Sequence, residues 1–254
     1  MSPFAGLVEL IDGSRLKWST LRCRGHEWRH WSGLNEAFLG SVPQGAVVAA
    51  AVVSDEPRGD ETKEPWRLWV DASDRIRTEF AVGFEAVAAV IDGPTWWSWT
   101  PSGGALTNGG DDHSTHGVGP GALLIEPSWR PAIEMEMLGH VRVADRTALR
   151  ILAHPAPVDG KDRDPFDPRW MGLHELGQGA DEYEIAIDEE RGTLLRCEAG
   201  LGGDPFRIVQ VDEINFDEDL SPDTFVLAPP GGEAFTFRKT RPSPLISRPA
   251  RHRE

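Results

Sequence analysis

The sequence predicts a mainly β protein whose antiparallel strands form a barrel or half-barrel. Short strand-like runs follow one another from residue 66 to residue 100 and are joined by Asp, Gly, Ser and Pro. Within them, the turn formers Asp92, Gly93 and Pro94 separate two apolar strands, which is typical of a hairpin. Hydrophobic residues make up 39% of the chain and include ten Trp, enough to build a core. These features favour an all-β arrangement over an α/β fold.

The N-terminal part predicts a helix followed by a long strand. Apolar residues spaced by three and four predict a short amphipathic helix over residues 3–11, which Gly13 ends. Residues 16–31 alternate between polar and apolar and predict a strand. Residues 33–39 predict one or two helical turns, and the apolar run 44–53 fits either a helix or a strand. Residues 54–65 form a charged, polar loop.

A meander of strands follows, with one helical interruption. We expect strands over residues 66–70, 75–80, 87–91 and 95–100, then a Gly-rich loop over 102–121. Residues 122–126 and 129–138 predict helix. Residues 159–179 form a polar loop, and further strands are predicted at 140–144, 148–153, 183–188, 194–198, 206–213 and 225–228.

Charge and cysteine content exclude several classes of protein. The formal net charge is −15, from 41 acidic and 26 basic residues, which opposes binding to nucleic-acid phosphates or anionic lipid surfaces. The two cysteines, Cys23 and Cys197, do not make a disulfide framework. No apolar run reaches the length of a membrane span, and the N-terminus lacks the basic and apolar regions of a signal peptide. We therefore expect a cytoplasmic protein without a transmembrane segment.

Six segments follow one another over most of residues 66–232: RIRTEF, IDGPTWWSWTP, ALLIEPSW, HVRVADRTALRILAHP, DEYEIAIDEERGTLLRCEA and VDEINFDEDLSPDTFVLAPPGG. This ordered set resembles the lipoprotein-carrier (LolA-like) superfamily, particularly its actinobacterial members. Where the superfamily often has a Gly-Arg pair after the helical insert, this chain has Asp145 and Arg146.

The resemblance implies a curved antiparallel sheet that forms an incomplete β-barrel with short covering helices, an α+β variant of the mainly β class. It also implies an apolar concave face that holds the acyl chains of lipids or lipoproteins, and relatives that sense envelope signals. We therefore expect non-enzymatic binding of a hydrophobic, acyl or lipid-like ligand, as carrier or sensor, with no cofactor. The residues expected to contact that ligand are Trp69, Phe80, Trp97, Trp99, Leu123 and Leu124.

A zinc-dependent hydrolase is the first alternative, because residues 26–30 read HEWRH. In the zinc-protease motif His26 and His30 would bind the metal and Glu27 would activate water, and all three must lie on a helix. The preceding alternation and Gly25 favour a strand. On a strand the two histidines lie about 13 Å apart, too far to share a metal ion. The strand interpretation is therefore favoured over a metal site.

Two further alternatives stay open. Asp111 to His116 reads DDHSTH, so Asp112, His113 and His116 are candidate metal ligands, although an exposed loop is the favoured interpretation. The other alternative is a regulatory interaction module that docks a protein partner by adding a strand to its sheet.

The domain prediction follows from these assignments. Residues 1–235 form one half-barrel domain, and residues 236–254 form a Pro- and Arg-rich tail that we expect to be disordered. The expected partner is a hydrophobic small molecule or a lipid, with a protein partner as a second possibility and no nucleic acid.

Overall fold

The computed structural model describes residues 3–41, 59–82, 85–110, 117–125, 127, 129–156, 173 and 175–237. Within these residues, helices α1 (Pro3–Asp12), α2 (Trp31–Ser41) and α3 (Ala122–Ile125) accompany twelve strands. The strands are β1 (Leu21–His30), β2 (Glu61–Val70), β3 (Ile76–Val82), β4 (Glu85–Asp92), β5 (Thr95–Thr100), β6 (Gly104–Thr107), β7 (Ile133–Val143), β8 (Arg146–Pro155), β9 (Glu182–Asp188), β10 (Leu194–Leu201), β11 (Asp204–Phe216) and β12 (Thr236–Phe237).

All twelve described strands belong to one sheet, in the order β12-β6-β5-β4-β3-β2-β1-β11-β10-β9-β8-β7. Neighbouring strands are antiparallel except β12, which runs parallel to β6. The sheet is curved and does not close into a barrel. The predicted fold class is therefore confirmed, including the hairpin in which Asp92 pairs with Thr95 around Gly93 and Pro94.

The sheet has one face covered by helices, and we call it the covered face. On β1, Leu21 and Cys23 are buried on this face, while the intervening Arg22 is exposed on the opposite face. Successive strand residues point to opposite faces, so one strand fixes the assignment of its neighbours through the pairing register. The buried side chains of α1 and α3, Leu7, Ile11, Leu123 and Leu124, join the same core as Leu21.

Several predicted elements differ from the structure. Residues 61–65, predicted as the end of a polar loop, form the first half of β2. Residues 133–138 belong to β7 instead of a helix; Ile133 is buried and Glu134 exposed, an alternation of period two on a strand at the sheet edge. The predicted strand 225–228 overlaps a 3₁₀ helix, Pro222–Phe225, which the Ser221 side chain caps. Strand β6 lies inside the predicted Gly-rich loop. A four-residue strand among turn formers carries too little alternation to be recognised.

Some predictions fall outside the described residues. These include the apolar run 44–53, the loop 111–116, most of the loop 159–179 and nearly all of the tail. Among the helices that the structure describes, none combines the length and apolar character needed to cross a membrane.

Candidate functional site

The pairing register assigns the expected aromatic residues to two different faces. Trp69 pairs with Arg77, Arg77 with Val90, and Val90 with Trp97, so all four point to the face opposite the covered one. Trp99 lies two residues beyond Trp97 and shares that face. The structure therefore divides the residues expected to contact a ligand: Trp69, Trp97 and Trp99 lie on the face opposite the helices and are partly exposed.

The opposite face of this region holds the C-terminal part of the chain. The Arg77 guanidinium lies over the Trp69 ring, 5.6 Å from its centroid. It also donates to the carbonyl oxygen of Thr224 at 3.1 Å and to that of Val226 at 3.4 Å. Phe225 between them is buried, with Arg75 stacked 4.7 Å from its ring centroid. Arg77 of β3 therefore holds residues 224–226 against the outer side of that strand.

Residues 117–125, which we call the cover, lie on the covered face, with the Gly119–Gly121 turn over β2 and β3 and α3 against β10. The Thr78 hydroxyl donates to the carbonyl oxygen of Val118 at 3.1 Å. Gly119 has a φ of +60°, and a Cβ there would lie 2.7 Å from the Phe80 ring. Leu123 and Leu124 are buried, each 3% exposed. The structure thus brings three of the expected residues, Phe80, Leu123 and Leu124, to the covered side of the sheet.

Next to the cover, several apolar side chains on the covered face stay partly exposed. Phe80 pairs with Val87, and Ile91 pairs with Trp96, so these four share the covered face with Thr78. Phe80, Val87 and Ile91 are partly exposed, as is Leu106 across from Ser98, whereas Trp96 is buried. We call Phe80, Val87, Ile91 and Leu106 the apolar shelf. It is a sheet surface of aliphatic and aromatic groups beside a short cover.

A cluster of charged residues lies on the same face, on β1, β2 and β11. Glu27 is 3% exposed and accepts from Arg29 Nη2 at 2.6 Å and from Arg207 Nε at 2.7 Å. Arg29 Nη1 also donates to Glu64 at 3.3 Å. Burial alone would raise the pKa of Glu27, but the guanidinium groups of Arg207 and Arg29 hold it below its ordinary value. We call Glu27, Arg29, Glu64 and Arg207 the ion cluster.

The HEWRH segment lies on strand β1, as its alternation indicates. His26 contacts Asp212, 3.0 Å from its Nδ1, and His30 contacts Asp60, 3.0 Å from its Nε2. Trp28 stacks on His30 with the ring centroids 6.3 Å apart. Glu27 points to the other face, into the ion cluster. These residues do not adopt the helical arrangement of a zinc-protease site.

No group of three or more metal-ligating side chains converges within the described residues. The other candidate ligands, Asp112, His113 and His116, lie outside that part of the chain. Cys23 and Cys197 are free and buried, and burial raises the pKa of both thiols. A neutral, enclosed thiol is a poor nucleophile and a poor metal ligand.

Sequence reasoning missed Trp66 and the ion cluster. Trp66 is 2% exposed and lies on the covered face, opposite Gly25 of β1. Its position was readable from the pattern, because Trp66, Leu68 and Val70 alternate with Pro65, Arg67 and Trp69. The ion cluster joins residues about 180 positions apart in the chain, and no local pattern links Glu27 to Arg207.

No protein-family model and no curated protein sequence matches the chain. A comparison with solved structures does find similar ones. Lipoprotein LppX from Mycobacterium tuberculosis is 10% identical with a TM-score of 0.48, covering 87% of this chain and 99% of that one. A LolA superfamily protein from Nitrosomonas europaea is 8% identical with a TM-score of 0.35, covering 88% and 97%.

The MucA/MucB complex of Pseudomonas aeruginosa is 13% identical with a TM-score of 0.43, and the match covers 88% of this chain and 60% of that chain. These likenesses concern the fold.

Proposed function

We propose that this chain binds an apolar, acyl-bearing ligand on the apolar shelf, without catalysis, and acts as a carrier or sensor of that ligand. The observation that carries the proposal is the set of partly exposed apolar side chains on the covered face: Phe80, Val87, Ile91 and Leu106. Partly exposed apolar side chains beside a core are a feature of ligand and partner sites.

The driving force for such binding is the removal of alkyl surface from water. Each buried methylene contributes about 0.8 kcal/mol, so ten methylenes contribute about 8 kcal/mol before the costs of association are subtracted. Aliphatic and aromatic side chains bury alkyl surface without hydrogen bonds or other directional contacts. The site therefore needs apolar area, which the four shelf side chains supply on one face of the sheet.

The cover supplies a means of entry. It consists of a 3₁₀ turn, Gly119–Gly121, and the four-residue helix α3. Its contacts with the sheet include the hydroxyl bond from Thr78 and the close approach of Gly121 to Leu68, where a Cβ would lie 3.1 Å from the nearest Leu68 atom. Local opening costs little free energy where few apolar side chains are buried, as in the Gly119–Gly121 turn, whereas Leu123 and Leu124 hold α3 in the core. We infer that the turn of the cover lifts to admit the acyl chain, while α3 stays packed.

Displacement of a fluorescent acyl probe by methyl palmitate tests the proposal. A carboxylate on the shelf, Val87→Asp, is expected to weaken methyl palmitate binding at least about tenfold, because the charge must be desolvated against an alkyl chain. The matched control is Ala86→Asp, one residue earlier on β4 and exposed on the opposite face. Equal affinities of the two variants, or no binding by the wild-type chain, would overturn the proposal.

A further inference from the structure

One edge of the described sheet ends in a long strand that has a neighbour on one side only. Strand β7 is the last strand in the sheet order and pairs only with β8 among the strands that the structure describes. At the opposite edge, the two-residue strand β12 lies beside β6. An edge strand of eleven residues presents a row of unpaired backbone N–H and C=O groups, to which a further strand can add.

A β-bulge at the centre of β7 brings two large apolar side chains together at this edge. Met137 pairs with Ile151 and Gly139 pairs with Arg150, so Leu138 is the extra residue. Met137 is 47% exposed and Leu138 is 46% exposed. No other strand in the described part of the chain carries two large apolar side chains that are this exposed. A single exposed apolar side chain is ordinary, but an adjacent pair on a free edge indicates a contact surface.

The bulge also exchanges the faces of the two halves of β7. Before the bulge, Glu134 pairs with His154; after it, Val141 pairs with Ala148. His154 and Ala148 are an even number of positions apart on β8, so they share a face. Glu134 and Val141 therefore share that face although they are an odd number of positions apart. Two copies of β7 that pair antiparallel can match their faces only where the paired residue numbers add to an odd number.

One such register places the exposed apolar pair against itself. Where the paired numbers add to 275, Met137 lies opposite Leu138 of the second copy, and the same contact repeats across the two-fold axis. Four apolar side chains then lie around that axis. The next register with matched faces adds to 277 and would set Met137 opposite His140. Burial of apolar surface therefore favours the first register.

The charges of β7 favour the same arrangement. The acidic Glu134 and Glu136 lie in the first half of the strand, and the cationic Arg142 lies in the second half. Antiparallel pairing sets the two carboxylates opposite Val141 and Gly139 of the second copy, in the half that carries Arg142. Parallel pairing would set the two acidic halves together, which is unfavourable. The strand is thus complementary to itself, and this selects a second copy of the chain over an unrelated strand.

We propose that β7 pairs with β7 of a second copy of this chain, antiparallel and in the register that adds to 275, to form a symmetric dimer with one continuous sheet. This dimer does not depend on the acyl ligand, because the apolar shelf lies on β3, β4 and β6, toward the other end of the sheet. A strand pair with four apolar side chains is smaller than a standard interface of about 1,600 Å², so the dimer is weak, with a dissociation constant in roughly the micromolar range.

Sedimentation velocity of the full chain tests for the dimer. At about 0.15 M salt, which screens charges more than about 8 Å apart, the wild type is expected to show a monomer–dimer equilibrium from about 1 to about 500 µM. Leu138→Lys puts two ammonium groups beside the two-fold axis and is expected to weaken the dimer at least about tenfold. The matched control is Leu39→Lys, the same exchange at a 69% exposed side chain of α2, which is expected to leave the equilibrium unchanged.

Paired cysteines test the register independently of Leu138. Glu134→Cys combined with Val141→Cys sets thiols opposite each other in the proposed dimer, within reach of a disulfide, so mild oxidation is expected to link the two copies. In the control, Glu136→Cys combined with Val141→Cys, the thiols are two residues out of register, and linkage is expected to be at least about tenfold slower. The native Cys23 and Cys197 are buried and do not compete.

Three outcomes would overturn the proposal: a monomer at every concentration, a dimer that Leu138→Lys does not weaken, or linkage of the control cysteine pair that is as fast as that of the Glu134 and Val141 pair. None of them bears on the proposed function, because displacement of the acyl probe by methyl palmitate measures ligand binding separately.

Discussion

Gly119→Ala is expected to open the cover. Gly119 has a φ of +60°, a conformation that costs a residue with a Cβ about 1–2 kcal/mol. The added Cβ would also lie 2.7, 2.8 and 2.9 Å from three carbons of the Phe80 ring, so the cover must shift away from β3. The backbone cost alone raises the opening equilibrium about 5- to 30-fold, since about 1.4 kcal/mol corresponds to a factor of ten.

Hydrogen exchange of the cover amides measures this opening. The amide of Ala122 bonds to the carbonyl oxygens of Gly119 and Pro120 in the closed cover, and its exchange is expected to speed up at least about fivefold in the variant. The acyl probe should also associate faster, because entry requires an open cover.

Gly93→Ala is the matched control for this change. Gly93 has a φ of +55°, but a Cβ there would meet nothing within 4 Å. The control therefore imposes the same kind of backbone cost in the β4–β5 turn and is expected to leave exchange in the cover unchanged. Equal exchange of the Ala122 amide in wild type and Gly119→Ala, with both chains folded, would refute the reasoning.

The remaining predictions concern the ion cluster, the two tryptophan faces and the histidines. Glu27→Ala is expected to cost about 3–5 kcal/mol in urea unfolding, because it removes the buried carboxylate that both the Arg29 and the Arg207 guanidinium groups contact and leaves Glu64 as the one carboxylate of the ion cluster, while Glu213→Ala at the surface costs less than about 1 kcal/mol. Folding lowers the pKa of Glu27, so its contribution to stability is complete above its ordinary pKa of 4.5 and is lost as the pH falls through the pKa of the folded state. Glu27→Gln is therefore expected to reduce the loss of stability at acid pH. An unchanged dependence of stability on acid pH would contradict the lowered pKa of Glu27. Trp96→Ala is expected to cost about 3–5 kcal/mol and Trp97→Ala clearly less, because only Trp96 is buried; the reverse order in denaturant titrations would contradict the face assignment. Metal analysis of purified wild type and His26→Ala is expected to give the same zinc content, and one equivalent that disappears in the variant would contradict the strand geometry of HEWRH.

The fold class was predictable because periodicity and turn chemistry are local. The Asp92-Gly93-Pro94 turn and the alternation in β1 each report a strand or hairpin without knowledge of the rest of the chain. Strand β7 was missed for a related reason. Its alternation of period two covers residues 133–137 only, because the register with β8 shifts between Met137 and Gly139 at the sheet edge.

The face of β5 was not predictable from its own sequence. The large apolar side chains of Trp97 and Trp99 suggested that these residues point toward the core. The pairing register with β4 instead places Trp96 and Ser98 on the covered face. A slip of one residue exchanges the two faces, and only pairing with β3 and β4 fixes the choice. On β2 the local sequence pattern is sufficient to assign the faces. Arg67 is exposed and lies on the same face as Trp69, so that face is the one away from the core.

The ion cluster and the cover depend on contacts between distant parts of the chain. Glu27 meets Arg207 only because β1 pairs with β11, and Gly119 meets Phe80 only because the cover folds back on β3. Sequence alone shows the charged and glycine residues without showing which of them meet.

Photo-crosslinking of the wild-type chain tests the central claim most directly. A palmitate methyl ester with a diazirine at its terminal carbon is irradiated with the full chain, and the labelled residues are located by mass spectrometry. The account predicts labels on the apolar shelf, at Phe80, Val87, Ile91 or Leu106, or in the cover that packs over the chain. Labels on Trp97 and Trp99 of the opposite face, or no label that excess methyl palmitate competes away, would contradict it.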